Sequence, residues 1–414
     1  MGTDIHRITG IRLASEVVCD VRLVDGVITE LRLADPAITG ATAADHLHLP
    51  GWLLLPSGVE PHAHVDKAFS WSQVDQVYGD LGAAIDSWHG YSGEMTEADV
   101  YARARRAFDC YLRHGITAVR THVDLLPGPD PMRGITAVLG LRDELRDVMD
   151  IQVALLASAG NPTPQLIDAL HLGVDVVGGC PHLTPDPAAE VVRLLDLADR
   201  LNLPVDLHTD EQLGADVLSI EPFLREVDRR GLGGRAAASH CVSLGSLSPA
   251  EIAALAAEIH RVGLGIITLP ITNLYLQARA EPVRTPRGLP ALRALLDAGV
   301  TVAAGGDNVR DPFNPMGRAD PFETTSLLIT AGHLDADQAL HAVTAGARRI
   351  LRLPPAGTVI GQRADLMAVR APTLADALAG PGDDRIVLYR GRLVSRTTVT
   401  NDSAVGAPAP ATVQ

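Results

Sequence analysis

The stretch "PSGVEPHAHVDKAFS", residues 56–70, sets His62 and His64 one residue apart, directly behind the apolar run "GWLLLP" (51–56). A short apolar run that ends in imidazole, with the carboxylate Asp66 just beyond, reads as a strand whose last residues carry chemistry. On extended backbone alternate residues share a side, so His-x-His can aim both rings the same way. The arrangement recurs down the chain. "VRTHVD" carries His122, "VDLHTDE" carries His208, "AAASHC" ends near His240, and "AAGGDN" brings in Asp307.

Between these runs lie long helical patterns such as "AAEVVRLLDLADRLN" and "LPALRALLDAG". Counting "VALLAS", "VDVVGG" and "LGIITLP" gives eight apolar strand runs alternating with helices. Such alternation predicts a parallel sheet buried on both faces, and eight repeats close it into a distorted (β/α)8 barrel of the α/β class. Residues 1–55 instead alternate apolar and polar with a turn at Asp25-Gly26, and residues 353–400 return to that pattern. These two segments are expected to pair as a small β-sandwich flanking a barrel over 56–352. The Pro/Ala/Gly-rich segment 401–414 is expected to be disordered.

Bulk composition narrows the function. Lysine and arginine total 35 against 50 acids, a net −15, and aromatics make up only 3%. That balance argues against nucleic acid or an anionic membrane as partner and favours a small molecule. No apolar run reaches transmembrane length. Four scattered cysteines without a CxxC pair, and no signal-peptide pattern, point to a reducing, cytoplasmic setting. All basic residues but one are arginine; the sole lysine is Lys67.

In a βα barrel the strand ends share one face, where sites are built. His62, His64, His122, His208, His240 and Asp307 would therefore meet there. Imidazole and carboxylate together suit a borderline divalent ion, Zn²⁺ or Fe²⁺. The remaining histidines, such as His6, His46, His114 and His260, read as ordinary core or surface groups.

The order and spacing of "VEPHAHVDK", "VRTHVD", "VDVVGGCPHL", "VDLHTDE", "AAASHC", "NLYLQAR" and "GGDNVRDPF" resemble the amidohydrolase superfamily, in its cytosine deaminase and N-isopropylammelide hydrolase-like branch. The resemblance spans nearly the whole chain. It implies one metal ion held by His62, His64, His208 and Asp307, with Glu211 as proton shuttle and His240 orienting hydroxide or substrate. Asp307 would also accept a proton from the metal-activated water. His182, Asn273, Gln277, Asn308, Asp311 and Phe313 would line or rim the substrate pocket, while His122 and Asp66 would stand behind the ligands. Two-metal relatives bridge their ions with a carbamylated lysine on a middle strand; no lysine follows Lys67, so one ion is expected. A homo-oligomer is expected by analogy.

The pattern departs from cytosine deaminases in one place. Their ring-reading glutamine after the third strand has no counterpart in "VALLASAGNP", and the expected second acid beside Asp307 is Asn308. A site without those groups loses selectivity for cytosine. The expected reaction is removal of an exocyclic amino or alkylamino group from another nitrogen heterocycle, a pyrimidine, triazine or related ring. Ring-opening hydrolysis of a cyclic amide or imide is the enzymatic alternative, and a non-catalytic scaffold the remaining one.

Overall fold

The computed structural model describes residues 2–380 and 382–400; the segment expected to be disordered, 401–414, lies outside the described residues. The barrel strands are Gly58–Ala63, Ile116–Asp124, Asp150–Ala157, Val176–Gly179, Val205–Thr209, Ala236–His240, Gly265–Thr268 and Val302–Ala304. They neighbour one another in chain order as a parallel sheet. Among the described residues, a single parallel bridge between Ala63 and Asp307 joins the last strand to the first.

The strands are buried because helices cover the outside of the ring and side chains fill it. Helix Glu97–Arg113 shows how the sequence achieves this. Thr96 caps its first turn, and Val100, Ala104, Ala107, Phe108 and Tyr111 recur on one face that is buried. Helix Pro249–Val262 has a full capping box, Ser248 with Glu251, and ends on Gly263 in the left-handed conformation. The strict alternation expected from sequence breaks after the first strand. There the chain makes a long excursion before helix Leu81–Ser92, which lies over the barrel mouth rather than outside the ring.

The flanking segments form the separate β unit anticipated, as one mixed eight-stranded sheet among the described residues. The N- and C-terminal portions join where Leu53–Pro56 runs antiparallel to Leu366–Val369, Leu54 opposite Ala368. Ile8, Ile11, Val21, Leu54, Leu366 and Leu388 share its core. Asp25 and Gly26 both have positive φ, 50° and 73°, as a tight hairpin turn requires. A side chain on Gly26 would also strike the Arg390 carbonyl, 2.5 Å from a Cβ placed there. Arg385 of this sheet grips Asp320 of the barrel at 2.7 Å. No helix among the described residues is long and apolar enough to cross a membrane.

Candidate metal centre

At the C-terminal ends of the strands, side chains far apart in sequence converge. His208 Nε2 lies 3.1 Å from His62 Nε2 and 3.2 Å from His64 Nε2. Asp307 Oδ1 stands 3.3 Å from His64 Nε2 and 3.9 Å from His62 Nε2. All four side chains are buried, and Asp307 Oδ1 has no hydrogen-bond donor. Asp307 is held with φ at +63°, and His240 at +70°, strained backbone that turns these side chains at their strand ends.

These separations fit a metal site. Donors about 2.0–2.1 Å from a tetrahedral zinc stand about 3.3 Å from one another, close to the spacings found. Burial above all pushes the pKa of His62, His64 and His208 well below the usual imidazole range. The rings are therefore neutral at pH 7, the state in which imidazole ligates. Three imidazoles and a carboxylate are a donor set for a divalent ion of the Zn²⁺ or Fe²⁺ kind.

Glu211 and His240 flank this cluster. Burial pushes the Glu211 carboxyl up to about 8, so at neutral pH it is a protonated acid. Its Oε1 is 3.5 Å from His240 Nδ1 and its Oε2 3.7 Å from His182 Nε2. The Asn273 amide sits 3.1 Å from His240 Nδ1; donation there leaves the ring's own N–H on Nε2. Gln277 and His182 act differently from the pocket-lining role expected. Gln277 Nε2 donates to the Glu211 backbone carbonyl at 2.6 Å, and His182 Nδ1 sits 3.0 Å from the His208 carbonyl. Both brace the segment carrying Glu211. Asp311 accepts from the Asn308 amide at 2.8 Å and orients it.

A cavity of about 350 Å³ opens onto His64, His208, Glu211, His240 and Asp307. Asn308 and Phe313 form part of its wall. Trp88, Leu81 and Ile85 from the helix over the mouth close another side; no strand-end pattern marks these three. Ser158, Ala159 and Gly160, all small residues, line the cavity just after the third barrel strand.

Behind the histidine and aspartate cluster lies a polar layer. Glu60 accepts from the backbone N–H groups of His62, at 3.2 Å, and Gly306, at 2.8 Å. His122 is stacked on His62 with ring centres 4.0 Å apart. The Asp66 carboxyl turns to other partners than the clustered imidazoles; its Oδ2 accepts from the Asp124 N–H at 3.1 Å and lies 3.5 Å from Lys67 Nζ. Lys67 also pairs with Asp124 at 2.9 Å, where the Trp88 indole N–H donates at 2.8 Å. Burial alone would lower the lysine's pKa, but Asp124 and Asp66 hold it charged.

Comparison with known proteins agrees with this fold. Residues 81–394 match the model of the amidohydrolase family. The chain is 31% identical over 360 residues to a pterin deaminase of Rhizobium rhizogenes, covering 83% of this chain and 81% of that one. It superposes on the 5-methylcytosine deaminase of Klebsiella pneumoniae liganded with 5-fluorocytosine with a TM-score of 0.86. The two are 27% identical, over 96% of this chain and 99% of the other. N-isopropylammelide isopropylaminohydrolase from Burkholderia multivorans gives a TM-score of 0.80 at 28% identity, over 94% and 98% of the two chains. The chain belongs to the amidohydrolase family.

Proposed function

We propose that this protein is a metal-dependent hydrolytic deaminase that replaces an exocyclic amino or alkylamino group of a nitrogen heterocycle with oxygen. The observation that carries the reading is the convergence of His62, His64, His208 and Asp307 at one cavity that also holds Glu211 and His240. A single divalent ion, zinc or iron, held by those four side chains would supply Lewis acidity that lowers the pKa of a water molecule towards 7.

The protein's own groups perform the rest. Glu211, protonated at neutral pH, gives its proton to the ring; of the two protons that the attacking oxygen sheds in becoming the carbonyl, one restores the acid on Glu211 and the other leaves with the departing nitrogen. The Nε2–H of His240 orients the attacking oxygen or the substrate, and Asp307 takes up the second of these protons before it leaves. Asn308 and Phe313 hold the ring against the cavity wall. The small residues 158–160 leave room where a pyrimidine reader would stand, and the pterin deaminase is similar over most of its length. A fused, amino-substituted ring such as a pterin is therefore the first candidate substrate, and cytosine a poor one. The catalytic barrel would span 56–352, flanked by a β unit from 1–55 and 353–400. A cytoplasmic homo-oligomer completes the proposal, and four free cysteines suit a reducing compartment.

The test is an amine-release assay with zinc- or iron-loaded protein across pterins, cytosine, 5-methylcytosine and aminotriazines. Ammonia or alkylamine without ring opening supports the reading. A new carboxylate without amine would make it a ring-opening hydrolase, and a folded, metal-loaded protein inert on every ring would point to a scaffold. Equal turnover of cytosine and the best alternative would overturn the specificity claim.

A further inference from the structure

Beneath the four ligands the barrel interior is polar where such interiors are ordinarily packed with branched apolar side chains. Asp206, fully buried, accepts from Ser239 Oγ on Oδ1 at 2.6 Å and from Arg120 Nη1 on Oδ2 at 3.0 Å. The same Oδ1 lies 3.9 Å from His62 Nδ1, and Oδ2 lies 3.5 Å from His122 Nε2. Arg120 is locked from its other edge: its Nε and Nη2 both donate to Gln152 Oε1, at 3.0 and 2.9 Å. Gln152 in turn donates to the Leu351 carbonyl at 2.9 Å. A polar column thus rises from the barrel floor to the back of a ligand imidazole. Gly178 makes room for it, since a Cβ there would lie 2.7 Å from His122 Nδ1.

We propose that Asp206, held by Arg120 and Ser239, is a positioning residue that fixes the tautomer and ring angle of His62 and so sets the affinity of the metal site. A ligand that binds through Nε2 must carry its proton on Nδ1. His62 Nδ1 is buried and has no partner at hydrogen-bond distance, and both nitrogens of His122 are likewise unsatisfied. A carboxylate offers lone pairs only, so the imidazoles turned towards it must bring the hydrogen. The inference rests on the metal-site reading above.

His62, His122 and Asp206 could alternatively be taken for a second cation site, since their ligand atoms also cluster. Arg120 argues against that. Its guanidinium already sits on Oδ2, and a second cation would meet that positive charge in a buried, low-dielectric setting.

The experiment is Zn²⁺ affinity, measured by competition with a chromophoric chelator, together with metal stoichiometry and the Co²⁺ visible spectrum. Asp206→Asn can present an amide N–H to His62 and favour the wrong tautomer. It should weaken binding by about 10–100-fold while circular dichroism of the metal-free protein stays unchanged. Ser239→Ala should weaken binding less, and Arg120→Lys, which cannot span Asp206 and Gln152 together, to an intermediate degree. Wild-type affinity in folded Asp206→Asn would overturn the proposal; should that variant not fold, wild-type affinity in both milder variants would do so. Two ions bound per wild-type chain would also overturn it. Failure of the metal reading itself is distinct: wild-type protein and His208→Ala would then bind zinc equally poorly.

Discussion

Glu60 Oε2 accepts a hydrogen bond from the backbone N–H of Gly306 at 2.8 Å, so a side chain of the first barrel strand ties down the segment that delivers Asp307. Among the described residues, backbone pairing at this seam is limited to the Ala63–Asp307 bridge. The Glu60 carboxyl therefore does locally what a strand ladder does elsewhere, and it stands between two of the proposed metal ligands, His62 and Asp307, one on each side of the seam.

The seam leaves no space beside Glu60. A Cβ at position 305 would fall 1.9 Å from Glu60 Oε1, whereas one at 306 would meet Oε2 at 3.4 Å, an ordinary contact. Gly305→Ala is expected to destabilise the protein by about 1–3 kcal/mol and to lower its metal content. Gly306→Ala should be far milder. Urea denaturation midpoints with metal analysis check this, and equal effects of the two would refute it.

Removing the ion should abolish turnover and lower the melting temperature. A ligand at 100 times its dissociation constant stabilises the native state by about 2.7 kcal/mol. Dialysis against a chelator, followed by thermal unfolding and zinc add-back, measures both effects. A melting temperature indifferent to zinc would contradict the assignment of His62, His64, His208 and Asp307.

Glu211→Gln should reduce kcat by about 10²–10⁴-fold with metal affinity intact. Burial raises this carboxyl from the ordinary 4.5 to about 8, so the proton it donates is present below that pH and lost above it. Activity should fall on the alkaline side accordingly. The same shift acts on stability: its contribution is full below 4.5 and disappears as pH rises through about 8. Metal-free wild-type protein should lose stability over that window relative to Glu211→Gln, and parallel stability curves for the two would count against the buried-acid assignment.

Lys67→Met is expected to destabilise by about 3–5 kcal/mol, because it removes the ammonium that pairs with both Asp66, fully buried, and Asp124. Denaturant titration at pH 7 tests this. A loss of less than 1 kcal/mol would mean that the pair behaves like an exposed one.

Much of the site was legible because strand-end histidines and Asp307 interrupt apolar runs, and a barrel brings such ends together. The layer beneath was not. Glu60, Arg120 and Asp206 lie inside strands, where a polar residue looks like noise in a buried run. A period-two reading would have found them: each stands two residues before His62, His122 or His208 and so shares that residue's face. The segments of Gln277 and His182 border the pocket, yet their side chains turn away from it. Which way a loop side chain turns depends on tertiary partners, here the Glu211 and His208 carbonyls. Trp88 carries no such signal, because nothing in its own helix indicates that the helix closes the mouth instead of covering the outer wall.

The enclosure of Lys67 also shapes how the molecule meets alkali. With the sole lysine shut between two carboxylates, the surface is left with guanidinium as its strong side-chain base, as in Arg261 with Asp228 at 2.8 Å. Lysine-bearing surfaces begin to discharge near pH 10, while arginine holds its proton beyond about 12. The exterior keeps its mosaic of charge through that interval, and base must attack from within.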